Sequence, residues 1–131
     1  MITEKSSENP LPRVVADGPF DAVVVNLLEG QVQLLPWKLT EKGSEMPVAG
    51  VYTYGHLPLN GQMLDRLPGV KVISNYGVGV DHINVRDAAE RGIPVGNTPD
   101  VLNGATADMA FALLLAAGRR LVEGDRRRDA R

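Results

Sequence analysis

The sequence has no cysteine, which excludes disulfides, thiolate nucleophiles and cysteine-held metal. It has only two histidines, His56 and His82, with no further ligand at metal-site spacing, so no metal centre is expected. Basic residues are not in excess: 14 Lys and Arg face 16 Asp and Glu, for a net charge of −2. That balance argues against nucleic acid as a partner, which would require a basic face. The one exception, Arg126-Arg127-Arg128, reads as a solvated tail or a contact patch. Long apolar runs are also absent. The longest uncharged one, Met109 to Ala117, has nine residues against the roughly 20 a bilayer span needs. Met1 to Pro12 holds no apolar core of a signal peptide. A cytoplasmic protein with no membrane partner is the expectation.

What is present alternates between strand-like and helix-like patterns. Residues 1–19 read as a flexible leader ending at Gly18-Pro19, and Asp21 to Leu28, with its β-branched run, as a buried first strand. Glu29 to Thr40 suits either period, and Pro36 argues against a long helix there. Val48 to Tyr54 predicts a second strand, Leu59 to Leu67 a helix stopped by Pro68-Gly69, and Val70 to Ser74 a third strand. Asn84 is placed to cap a helix over Val85 to Arg91, with Gly92 as its stop. Ile93 to Asn97 reads as a short strand that Pro94 pushes toward an edge. Ala105 to Leu121 predicts the longest helix, with Asp108 in its first turn and Arg119 and Arg120 in its last. Its apolar run over 109–117 expects burial on more than one side. This alternation implies a parallel α/β sheet with helices on its faces.

Asn75-Tyr76-Gly77-Val78-Gly79-Val80-Asp81-His82 follows the third strand, at the carboxyl edge where open α/β sheets place ligands. Gly77 and Gly79 bracket Val78, so positive φ could aim successive amides into a concavity that suits a carboxylate. A plain strand-to-helix turn, with Asp81 hydrogen-bonding the loop, explains the same residues. A dinucleotide fingerprint would need a third glycine where His82 stands. Asp81 and His82 are adjacent, and neighbours rarely aim both side chains at one substrate.

These residues carry a likeness. Leu67 to Ser74, the loop Gly77 to His82, Arg91 to Pro99, and Thr106-Ala107-Asp108 with its apolar helix and Arg119-Arg120 resemble the D-isomer-specific 2-hydroxyacid dehydrogenases. Within them, the glyoxylate/hydroxypyruvate reductase branch is most similar. The resemblance implies a flavodoxin-like (Rossmann-like) parallel sheet with helices on both faces, truncated before the NAD-binding domain. It divides the chain into the leader 1–19, a partial substrate (catalytic) domain over 20–122, and a basic disordered tail over 123–131. It implies NAD or NADP as cofactor and a small 2-oxo or 2-hydroxy acid as ligand. The amides of Val78 and Gly79, within the Gly77 loop, would hold the acid's carboxylate. Tyr54, Gly55 and His56 would line the same pocket, and Val78 and Thr106 would approach the nicotinamide nucleotide. Read without the likeness, Thr106 is a first-turn hydroxyl, and Tyr54 and His56 are loop residues with no role.

The family's cofactor fingerprint, its arginine, its supporting acidic residue and its acid–base histidine have no counterpart in these residues, so no catalytic residue is assigned. The expectation is an amino-terminal part of an NAD(P)H-dependent 2-oxo acid reductase, inactive alone. The alternative is a non-catalytic binding or interaction domain derived from that family, forming homo- or hetero-oligomers. A stand-alone flavodoxin-like signalling or nucleotide-binding module ranks last, since no phosphate loop or acidic cluster occurs.

Overall fold

A computed structural model describes residues 10–18 and 20–129 of the chain. The chain divides into two compact units, Met1–Thr98 and Pro99–Arg131. In the first unit the elements are β1 (Arg13–Ala16), α1 (Ala22–Leu28), β2 (Gln33–Pro36), α2 (Leu39–Lys42), β3 (Gly50–Thr53), α3 (Gly61–Asp65), β4 (Val72–Asn75), α4 (Val85–Glu90) and β5 (Val95–Gly96). The five strands form one sheet in the order β2-β1-β3-β4-β5, and every pairing is parallel. The chain steps one way from β1 to β2 and the other way from β3 through β5. Right-handed crossovers therefore put α1 on the face opposite α3 and α4. The result is an α/β sheet of the Rossmann-like class with helices on both faces.

The first strand is not where its β-branched run suggested. Residues 22–28 form α1, whose start is fixed by Asp21: its carboxylate accepts from the Val23 amide at 2.8 Å. No residue of α1 is buried, so its valines gain little from a sheet-like environment. The strand is instead Arg13–Ala16, inside the segment expected to be a leader. Val15 there is fully buried between β2 and β3. Of the rest of the expected leader, residues 1–9 and Pro19 lie outside the described residues. The ambiguous stretch 29–40 resolves into β2 followed by the single turn α2.

The remaining elements of the first unit lie within a residue or two of their expected positions. Asn84 caps α4 by accepting from the Asp87 amide at 3.1 Å, and Gly92 leaves the helix at φ 66°. Strand β5 is an edge strand. The core lies on one side of the sheet: Val15, Val48, Val51, Leu59, Leu64, Leu67, Ile73 and Ile83 pack together with Ala88 and Ile93. Each fully buried aliphatic side chain of this kind contributes roughly 1.5–3 kcal/mol. Strand β4 shows the asymmetry: Ile73 and Asn75 are buried, Val72 and Ser74 exposed.

The second unit contains α5 (Asn103–Gly118) and α6 (Leu121–Asp129). The helix expected to run unbroken to Leu121 ends at Gly118, and Arg120 at φ 47° separates it from the next. Arg119 and Arg120 therefore lie beyond α5, and Asp108 lies beyond its first turn. Up to Asp129 the expected disordered tail is helical, steadied at its start by an Arg120–Glu123 ion pair at 2.7 Å. Its last two residues lie outside the described residues. The burial expected along Met109 to Ala117 is also absent: Met109, Phe111, Leu113, Leu114 and Leu115 are all exposed.

Candidate functional site

The loops leaving β1, β3 and β4 meet at the carboxyl edge of the sheet. Asp17, just past β1, is buried and turns its carboxylate toward the exit of β3. One oxygen accepts from the amides of Tyr54 and Gly55, the other from that of Leu57. An anion thus organises the loop Tyr54-Gly55-His56 from below, at the strand end where backbone amides have lost their sheet partners. His56 takes a left-handed φ of 59°, a conformation histidine tolerates better than most residues. Leu59 and Ile83 then form an isolated parallel bridge that joins this loop to the one after β4.

The glycine loop is built differently from the expected nest. Neither Gly77 nor Gly79 takes a positive φ. Asp81 makes no hydrogen bond to the loop among the described residues; two asparagines hold it instead. Buried Asn75 donates from Nδ2 to the carbonyls of Gly77 (3.0 Å) and Gly79 (2.9 Å), and Asn97 donates to that of Val78 (2.8 Å). The Gly77 carbonyl also accepts from the Thr98 amide, and the Val80 carbonyl from that of Ile83.

Every carbonyl from Gly77 through Val80 is therefore engaged. A trans peptide points its N–H opposite its C=O, so the amides of Val78, Gly79, Val80 and Asp81 turn away from these clamps. Among the described residues none of the four donates to a protein acceptor. Val78 and Gly79 are exposed, which leaves their amides open to solvent or a ligand.

The two loops approach closely. Nε2 of His56 lies 3.7 Å from where a Cβ on Gly77 would sit, which is van der Waals contact distance between the two loops. The rings of His56 and His82 meet edge to face at 4.8 Å, and those of Tyr54 and Tyr76 at 5.3 Å. Nε2 of His82 is buried without a partner among the described residues. Burial, aided by neighbouring His56, holds the His82 pKa below the usual histidine range against the opposing pull of Asp17 and Asp81. A neutral imidazole suits that position.

The structure thus brings together Tyr54, Gly55, His56, Gly77, Val78 and Gly79. Thr106 belongs to the second unit, in the first turn of α5, where its amide donates to the Leu102 carbonyl. Sequence reasoning missed Asp17, Asn75 and Asn97, which shape the loops. Asn75 and Asn97 had a readable signal, since each ends a strand beside an expected ligand loop. Asp17 had none, because its strand was not recognised.

Comparison with known proteins gives one family. The profile of the D-isomer specific 2-hydroxyacid dehydrogenase catalytic domain matches residues 14–119. The chain is 36% identical over 124 residues to glyoxylate reductase of Pyrococcus horikoshii, covering 88% of this chain and 36% of that protein. Against glyoxylate reductase of Pyrococcus furiosus it is 40% identical over 111 residues, covering 78% and 32%. Among solved structures it is similar to a 2-hydroxyacid dehydrogenase from Ketogulonicigenium vulgare, with TM-score 0.74, 27% identity, and coverage of 88% and 38%. It is also similar to the NADPH-dependent glyoxylate/hydroxypyruvate reductase of Sinorhizobium meliloti in complex with NADP and malonate. There the TM-score is 0.67 and the identity 32%, with coverage of 80% and 34%. The chain spans about a third of the length of these four proteins.

Proposed function

This chain belongs to the D-isomer specific 2-hydroxyacid dehydrogenase family, and on that premise we propose that it supplies the carboxylate-docking part of an NAD(P)H-dependent reductase of small 2-oxo acids. Glyoxylate and hydroxypyruvate are the substrates its relatives suggest. The observation that carries the reading is the row of amides at Val78 and Gly79, unpaired with protein acceptors among the described residues while the carbonyls of the loop are clamped behind them. A carboxylate placed there gains charge-assisted hydrogen bonds without a positively charged side chain. Tyr54, Gly55 and His56 wall the pocket from the β3 side. We assign the docking role to the sheet unit, with β1 included.

NAD or NADP supplies the hydride in enzymes of this type. The residues present do not build a dinucleotide site. The Gly77–Gly79 loop passes through the bridge at Ile83 before α4 begins, so it does not open directly into a helix. These 131 residues therefore orient a ligand and do not turn it over. Two measurements on the pure chain test this. Oxalate, a planar probe of 2-oxo acid shape, is expected to raise the melting temperature by mass action where chloride does not. NADH and NADPH are expected to remain unoxidised with glyoxylate or hydroxypyruvate. No oxalate effect contradicts the docking role, and turnover contradicts the inactivity.

One observation favours a second reading, an interaction domain derived from this family. Helix α5 has no buried residue, and its exposed Phe111, Leu113, Leu114 and Leu115 form apolar surface of the kind that drives association.

A further inference from the structure

Thr53 and Asn75 stand opposite each other in register on β3 and β4, and both are buried. The Thr53 hydroxyl donates to Oδ1 of Asn75 at 2.8 Å. The direction of this bond follows from the far end of the amide. Two carbonyls, those of Gly77 and Gly79, converge on the other terminus of the Asn75 side chain, so that terminus must be the NH2. Its oxygen then faces Thr53 and needs a donor, which the hydroxyl supplies. The amide of Asn75 is thereby locked at both ends. Asn97, exposed at the end of β5, repeats the clamp on the Val78 carbonyl.

We propose that Thr53, Asn75 and Asn97 are positioning residues for an anion site: none donates to the ligand, and together they set the direction of the amides that do. The proposal rests on the docking role assigned above to Val78 and Gly79. It extends the donor row to Val80, whose N–H shares a peptide group with the clamped Gly79 carbonyl. A carbonyl that accepts a hydrogen bond also polarises the N–H of its own peptide group, so the clamp strengthens the donors as well as aiming them.

The test compares the full 131-residue chain with Thr53→Ser, Thr53→Val and Asn97→Ala, using oxalate titrations followed by amide NMR. Thr53→Ser retains the hydroxyl and should bind like the parent. Thr53→Val leaves Oδ1 of Asn75 without a donor and should bind about tenfold more weakly. It should also shift the amide signals of Val78, Gly79 and Val80 before any oxalate is added, which a loss of stability alone would not do. Asn97→Ala changes an exposed position, and should weaken binding several-fold even if Thr53→Val fails to fold. Parent-like affinity and unshifted loop amides in folded Thr53→Val, or parent-like affinity in Asn97→Ala, would overturn the positioning role. A parent chain that ignores oxalate would instead remove the docking role on which it rests.

Discussion

Asp17 Oδ1 accepts from the Gly55 amide at 2.9 Å, tying the exit of β1 to that of its neighbour β3. With the further bonds from Tyr54 and Leu57, one buried carboxylate satisfies three amides of the loop that carries His56. Asp17→Asn keeps the size but turns an NH2 toward at least one of those donors. A loss of about 1–3 kcal/mol is expected in urea unfolding, with the His56 signals displaced in NMR spectra.

The His82 pKa lies below 6.5 in the folded chain, through burial and the nearby His56. The unfolded chain therefore binds more protons than the folded one between that lower value and 6.5. Stability falls as pH drops through this window and levels off below it, with Asp17 and Asp81 limiting the effect. Urea midpoints measured across it should slope less in His82→Gln than in the parent. Equal slopes would contradict the burial.

Tyr52 presents the opposite sign. Its hydroxyl is buried without a partner among the described residues, and burial pushes its pKa up to about 12. Above pH 10 the unfolded chain ionises first, so stability declines as pH rises toward 12. Tyr52→Phe should be neutral or stabilising by up to about 1 kcal/mol at pH 7, and its alkaline absorbance titration should lose the step near 12. A clear destabilisation would show that the hydroxyl has a partner.

The exposed apolar side chains of α5 predict concentration-dependent association. Sedimentation should show it in the parent chain and much less in a Phe111→Glu, Leu114→Glu double variant. A parent that stays monomeric at high concentration would count against the interaction reading.

Much of this fold was readable because local and long-range signals agreed. From Val48 to Asn97, strand runs, the Asn84 cap and the Gly92 stop all point to the arrangement observed. They diverged at the amino end. Arg13–Ala16 is only four residues, flanked by prolines and a glycine, and nothing local reveals that it is an inner strand, paired on both sides. Val23-Val24-Val25 has strand propensity, yet the Asp21 cap and the crossover needed between two parallel strands make it helical. The site followed the same rule. The position of Gly77-Val78-Gly79 after β4 was evident, whereas the asparagine clamps depend on which side chains the sheet register brings beneath the loop.

The docking claim is tested most directly by an 15N-resolved amide spectrum of the intact chain during oxalate addition. The largest downfield shifts are predicted at Val78 and Gly79, with smaller changes at Gly55 and His56 and none along β2. Shifts scattered over the surface, or confined to side chains away from this loop, would contradict it.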